Sequence, residues 1–107
     1  MTSIDDIKRT VCDHYGITMA DLMGPRRVRS LSRPRQVAMT LARELTEKSA
    51  PQVGRAFSRD HTTVLHAGRA VVSRLLLEPG FYDEWDSLRV ACTVNAPVFR
   101  HYRGAEQ

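Results

Sequence analysis

Val37, Ala38, Leu41, Ala42 and Leu45 return at intervals of three and four residues. That spacing puts all five on one face of a helix and suits no strand. No other feature of the 107 residues constrains the fold as firmly. A stripe of this kind needs a partner surface, so the chain has to supply further helices with matching faces.

It does. Ile4, Ile7, Val11 and Tyr15 keep the same spacing, with Ser3 as a cap, Asp5 and Asp6 in the first turn and Gly16 as a stop. Thr18 caps a short turn with Ala20, Leu22 and Met23 as apolar contacts, and Gly24-Pro25 breaks it. Residues 24–35, GPRRVRSLSRPR, read as an ordered loop pinned by Val28 and Leu31, and Pro34 opens the helix that carries the first stripe. Residues 49–57 give a short helix with Ser49 as cap and Val53 and Phe57 four apart. After a turn at Ser58-Arg59, Asp60 caps a helix over 61–77. Val64, Ala67, Gly68, Val71 and Leu75 form its face, with Leu65, Val72 and Leu76 widening it. Glu78-Pro79-Gly80 stops that helix. Tyr82, Trp85, Leu88 and Cys92 then mark a last helix, which Asn95 and Pro97 end; Trp85 is expected to pack it onto the bundle. Met19, Met23 and Met39 are expected as core filler. The expected class is all-α: one small helical bundle over residues 1–80 and a C-terminal helical extension over 81–107.

Several function classes drop out on content. No apolar run is long enough to span a bilayer, and the charged start MTSIDDIKRT lacks the apolar stretch of a signal peptide. A cytoplasmic, nucleoid-associated protein is therefore expected. Cys12 and Cys92 match no metal or redox spacing and read as buried free thiols. His61 and His66 stand five apart and diverge around a helix, so no metal is expected, nor any other cofactor. Ser58, Asp60 and His61 are too close in one turn to form a catalytic triad. No enzyme activity is expected.

Charge points elsewhere. The chain carries 16 basic and 12 acidic residues, and arginine outnumbers lysine fourteen to two. Residues 24–46 hold six arginines against Glu44 alone, while 78–86 are acidic. Arginine's planar fork suits phosphates and guanine edges, and a basic stripe on a small domain is the usual footprint of nucleic-acid binding. A short helix, a tight turn and a longer helix over 50–77 outline a helix-turn-helix, whose second helix would enter the DNA major groove with its first residues against base edges. Those residues, 59–63, suit the task. Aspartate accepts from a cytosine amine, histidine and threonine carbons touch a thymine methyl, and their polar atoms serve base acceptors or phosphate. The same residues also suit a plain helix cap and first turn.

The segments RPRQVAMTLARELT (33–46) and FSRDHTTVLHA (57–67), with IDDIKRTVCDHYGITMADLMGPRRVRS (4–30) upstream, resemble the C-terminal DNA-binding domain, domain IV, of the bacterial replication initiator DnaA. The resemblance implies a Trp-repressor-like helical bundle around a helix-turn-helix. It implies that Asp60, His61 and Thr62 meet bases in the major groove and that Arg27 enters the minor groove. Thr63, Arg35, Gln36 and Arg43 would hold the DNA backbone, joined by Arg26, Arg29, Arg33, Arg59 and His66. The partner implied is double-stranded DNA with DnaA-box-like sites, bound by a single copy because such boxes are asymmetric. The role expected is that of a transcriptional regulator or a modulator of replication initiation.

Two departures from the family pattern stand out. The family usually carries two glycines between the phenylalanine and the Arg-Asp-His run, whereas here Ser58 alone separates Phe57 from Arg59. No Gly-Lys-Ser/Thr occurs, so no phosphate-binding loop and no ATP hydrolysis are expected, and the domain is expected to stand alone. Residues 81–107 match nothing in the family. They motivate a second reading, a protein-interaction module that keeps the fold and binds a partner through its tail.

Overall fold

Four of the helices begin where the sequence offers a side-chain acceptor to a free N–H. The structure, a computed structural model, describes residues 2–94. Ser3 accepts from Asp6 N at the start of α1 (Ile4–Tyr15), and Gly16 closes that helix in the left-handed conformation. Thr18 and Asp21 form a capping box on α2 (Met19–Met23). A 3₁₀ turn, Arg29–Leu31, runs directly into α3 (Ser32–Leu45). Ser49 and Gln52 form a second capping box on α4 (Ala50–Phe57). Asp60 caps α5 (His61–Leu77), and α6 (Phe81–Val94) follows Gly80. The described residues contain no strand, and the all-α bundle is as expected.

α3 is the central element. It packs on α1, α4, α5 and α6, and Val37, Ala38, Leu41 and Ala42 are fully buried. Around them close Ile7, Val11, Leu22, Val53, Phe57, Val64, Val71, Phe81, Trp85, Leu88 and Cys92 in one cluster. α6 therefore shares the core of the preceding helices. Thr2 adds a bond from its hydroxyl to the Cys92 carbonyl, 3.1 Å. Cys12 and Cys92 are buried free thiols, and burial pushes Cys92 up to about 11, which keeps it protonated.

The structure moves several expected boundaries. α3 starts at Ser32, two residues ahead of Pro34, because Leu31 already has helical backbone angles; Pro34 still falls within the first turn, where its missing N–H leaves no bond broken. Leu31 is buried and pins the loop, but Val28 is exposed. On α5 only Val64, Ala67 and Val71 are buried; Leu65, Val72 and Leu76 do not widen the face but point to solvent, Leu76 with 78% of its surface exposed. The reason is that α3 and α4 cover one side of α5 while α6 touches it little. In α6 Trp85, Leu88 and Cys92 are buried as expected, and the stripe departs from the expectation only in the first turn. Phe81 is buried and Tyr82 is exposed, as is Met19 among the methionines. The expected helix stop at Asn95 and Pro97 lies outside the described residues.

One buried cation escaped the periodicity altogether. Lys8 sits in the α1 stripe's flank, donates from Nζ to the Ala56 carbonyl at 2.6 Å and lies 5.0 Å from the centre of the Phe57 ring. It ties α1 to the end of α4, the element that leads into the turn.

Candidate nucleic-acid interface

The turn between α4 and α5 is as short as the sequence requires. Phe57 is buried and anchors its first side. Ser58 then adopts φ 59°, ψ 40°, and is the one non-glycine residue with positive φ among those described. The left-handed conformation costs a non-glycine residue roughly 1–2 kcal/mol. Two bonds hold it there: Ser58 N donates to the Arg55 carbonyl at 3.2 Å and Arg59 N to the Gly54 carbonyl at 2.8 Å. This pair of bonds is the Schellman closure of a helix end. One serine thus performs the reversal of the chain.

The turn delivers Asp60 to the N-cap of α5. Its Oδ1 accepts from Thr63 N (3.0 Å), Thr62 Oγ1 (2.6 Å) and Thr63 Oγ1 (3.2 Å). These bonds, the Thr62 hydroxyl foremost, hold the Asp60 carboxyl down at about 2. Asp60 is thus a charged cap at any ordinary pH. Asp60, His61 and Thr62 are exposed side by side and Thr63 is half-buried, so the residues expected to meet bases do share one edge. The Thr62 and Thr63 hydroxyl protons are engaged with Asp60, which leaves their oxygens as acceptors and their methyl groups as apolar contacts.

Beside this edge runs a groove between the loop after α2, the start of α3 and the start of α5. Arg27, Arg29, Arg35, Gln36, Arg59, Thr63 and His66 line it together with Ser58. Among the described residues, no acidic one lines it. The structure therefore gathers most of the expected backbone-contacting residues, from three stretches of chain, into one concave basic strip. Arg26 and Arg27 project from the loop and are exposed. Gln36, also in the lining, accepts at Oε1 from Arg74 (3.3 Å), which leaves its amide nitrogen as a donor.

Three of the arginines expected to hold DNA backbone make contacts within the protein. Arg33 pairs with Glu78 at 2.7 Å and Glu84 at 3.6 Å and covers the Phe81 ring. It belongs to a polar cluster in which Tyr15 donates to Glu84 and Arg74 pairs with Glu78, joining α1, α3, α5 and α6. Arg35 donates to the carbonyls of Asp21, Gly24 and Arg26. Arg59 donates to those of Met23, Gly24 and Phe57. The physical reason is the same for all three: a guanidinium with five donors satisfies nearby acceptors before it reaches solvent. Arg43 is exposed on another face, in an apolar groove with Val64, Leu65, Arg69 and Val72. Sequence periodicity carries no signal for such carbonyl clamps, since backbone acceptors exist at every position.

A family model described as the bacterial DnaA protein helix-turn-helix matches residues 4–71, well over half of the chain. The match takes in α1 to α4, the turn and the half of α5 that carries the exposed edge.

Proposed function

The chain belongs to the bacterial DnaA helix-turn-helix family, a DNA-binding fold, and from that premise we propose that it binds double-stranded DNA at DnaA-box-like sites. The observation that carries this reading is the exposed Asp60-His61-Thr62 edge standing next to a groove rich in arginine and free of acid. In the proposed complex α5 enters the major groove, where Asp60, His61 and Thr62 meet bases. Arg27 enters the neighbouring minor groove, whose negative potential favours arginine. Thr63, His66, Gln36, Arg29 and Arg43 hold phosphates.

The protein acts, in this reading, as a monomer in the cytoplasm. Its biological effect comes from occupying sites that an initiator would otherwise occupy, as a regulator of transcription or of replication initiation. An unbiased selection of bound duplexes from a random pool tests the proposal: enrichment of a DnaA-box-like sequence supports it, and a pool that stays random at moderate salt sinks it.

A second reading has one observation behind it. Leu76, Leu77 and Tyr82 lie exposed around the corner between α5 and α6. Apolar groups gathered there suit a protein partner. Concentration-dependent capture of the chain by a replication or regulatory protein, lost in Leu76→Glu/Leu77→Glu, would favour it.

A further inference from the structure

The loop that carries Arg26, Arg27 and Arg29 has almost nothing apolar to hold it. Residues 25–30 are all exposed, and the first buried side chain is Leu31. Two arginines hold its root by hydrogen bonds to carbonyls at the end of α2, and one of them, Arg35, also reaches a carbonyl within the loop, that of Arg26. Arg59 Nη2 donates to Gly24 O at 2.8 Å and Nη1 to Met23 O at 3.3 Å. Arg35 Nη2 donates to the same Gly24 oxygen at 3.0 Å and to Asp21 O at 2.6 Å, and its Nη1 donates to Arg26 O. Gly24 itself is seated tightly on the end of α2: a Cβ placed there would lie 2.7 Å from the Ala20 carbonyl oxygen.

Arg59 also belongs to the α4–α5 turn. It precedes the Asp60 cap, and its own N–H closes the turn on Gly54. One side chain therefore joins the start of the recognition helix to the root of the basic loop, across 35 positions of sequence. Two guanidiniums on one carbonyl repel, and that arrangement persists only because each is satisfied by further carbonyls. Burial and the neighbouring Arg59 charge both lower the Arg35 pKa.

We propose that Arg59, with Arg35 beside it, is a positioning residue for DNA reading: it acts through Arg27 by setting where the minor-groove loop stands relative to the base-reading edge of α5. The inference rests on the DNA reading above and deepens it. It differs from the expectation of a phosphate contact, because a phosphate ligand would act independently of Arg27. Lysine is the decisive replacement. It keeps the charge, but a single ammonium cannot span three carbonyls as the planar fork does.

The test is a double-mutant cycle on a duplex carrying a DnaA box, with Arg59→Lys, Arg27→Ala and both together. A matched duplex carries 2,6-diaminopurine for adenine beside the box, which adds an amine to the minor groove and leaves the major-groove edge unchanged. Arg27→Ala is expected to weaken box binding roughly 5- to 150-fold. Arg59→Lys is expected to lose discrimination against the diaminopurine duplex, to keep its preference at major-groove positions, and to add less than about twofold in the Arg27→Ala background. Hydrogen exchange of the free protein adds a readout that needs no DNA: exchange over residues 26–31 should quicken in Arg59→Lys while α5 stays protected. Losses that multiply in the double variant, with the salt slope reduced by about one, would make Arg59 a phosphate ligand and overturn the proposal. Should the wild-type chain show no box preference, the box reading fails on its own. Exchange then decides the clamp, and unchanged protection in Arg59→Lys overturns it. If Arg59→Lys melts globally, Arg35→Lys carries the same cycle.

Discussion

Gly54 and Arg59 close the α4–α5 turn on each other. The Arg59 N–H donates to the Gly54 carbonyl at 2.8 Å, and the Arg59 carbonyl oxygen stands 2.5 Å from where a Cβ on residue 54 would be. Asp60 crowds the same spot at 3.2 Å. The opposing atoms are backbone and cannot swing away, so Gly54→Ala has to open the turn. We expect it to destabilise the protein by about 2–4 kcal/mol, in the range of core overpacking and above. Gly68 on α5 meets nothing within 4 Å, and Gly68→Ala should stabilise by up to about 1 kcal/mol through helix propensity. Urea unfolding of the two variants checks both; equal effects would contradict the crowding argument.

Ser58 sits in the left-handed region without being glycine. Ser58→Gly should be neutral or stabilising by up to about 1 kcal/mol, the relief of strain being offset in part by glycine's larger unfolded-state entropy. Ser58→Val should destabilise by about 1–2 kcal/mol, because a β-branched residue fits that backbone worst. Thermal melts distinguish the outcomes.

The Asp60 cap has a pH signature. Its folded carboxyl titrates at about 2, below the ordinary 3.8. A depressed value means that the charged form stabilises the fold. That contribution is complete above about 3.8 and disappears as pH falls through about 2. Asp60→Ala should lower Tm at neutral pH by leaving Thr63 N without its acceptor. Asp60→Asn keeps a cap and should show a flatter Tm between pH 4 and 2 than the wild type, by melts across that window.

Base-reading and phosphate-holding residues should separate by how their loss distributes. Thr62→Ala and His61→Ala should cost roughly 1–3 kcal/mol on the selected site and little on random duplex. An equal loss on both would contradict base reading.

Arg43 should behave in the opposite way. It is exposed, in a groove separate from the one beside the Asp60-His61-Thr62 edge. Arg43→Ala should weaken binding to all duplexes alike and flatten the log–log salt dependence by about 0.9, the yield of one phosphate contact. Titrations at several salt concentrations, on selected and scrambled DNA, give that slope.

What could be read in the chain itself follows from local rules. Caps at Ser3, Thr18, Ser49 and Asp60 each lie within three residues of the N–H they serve, and each is where the sequence puts it. The α3 stripe is buried as its period demands. The Asp60-His61-Thr62 edge needs only a turn and a helix start to become exposed together. The tertiary structure decided the rest. Periodicity cannot tell which apolar flank of a helix finds a neighbour, so Leu65, Val72 and Leu76 were free to end in solvent once α3 and α4 had covered the other side of α5. Nor can residue type tell a guanidinium bound for phosphate from one bound for a carbonyl. Arg35 and Arg59 meet at Gly24 because folding brings three distant segments to one place, and any donor fork that arrives there is captured by the acceptors it finds.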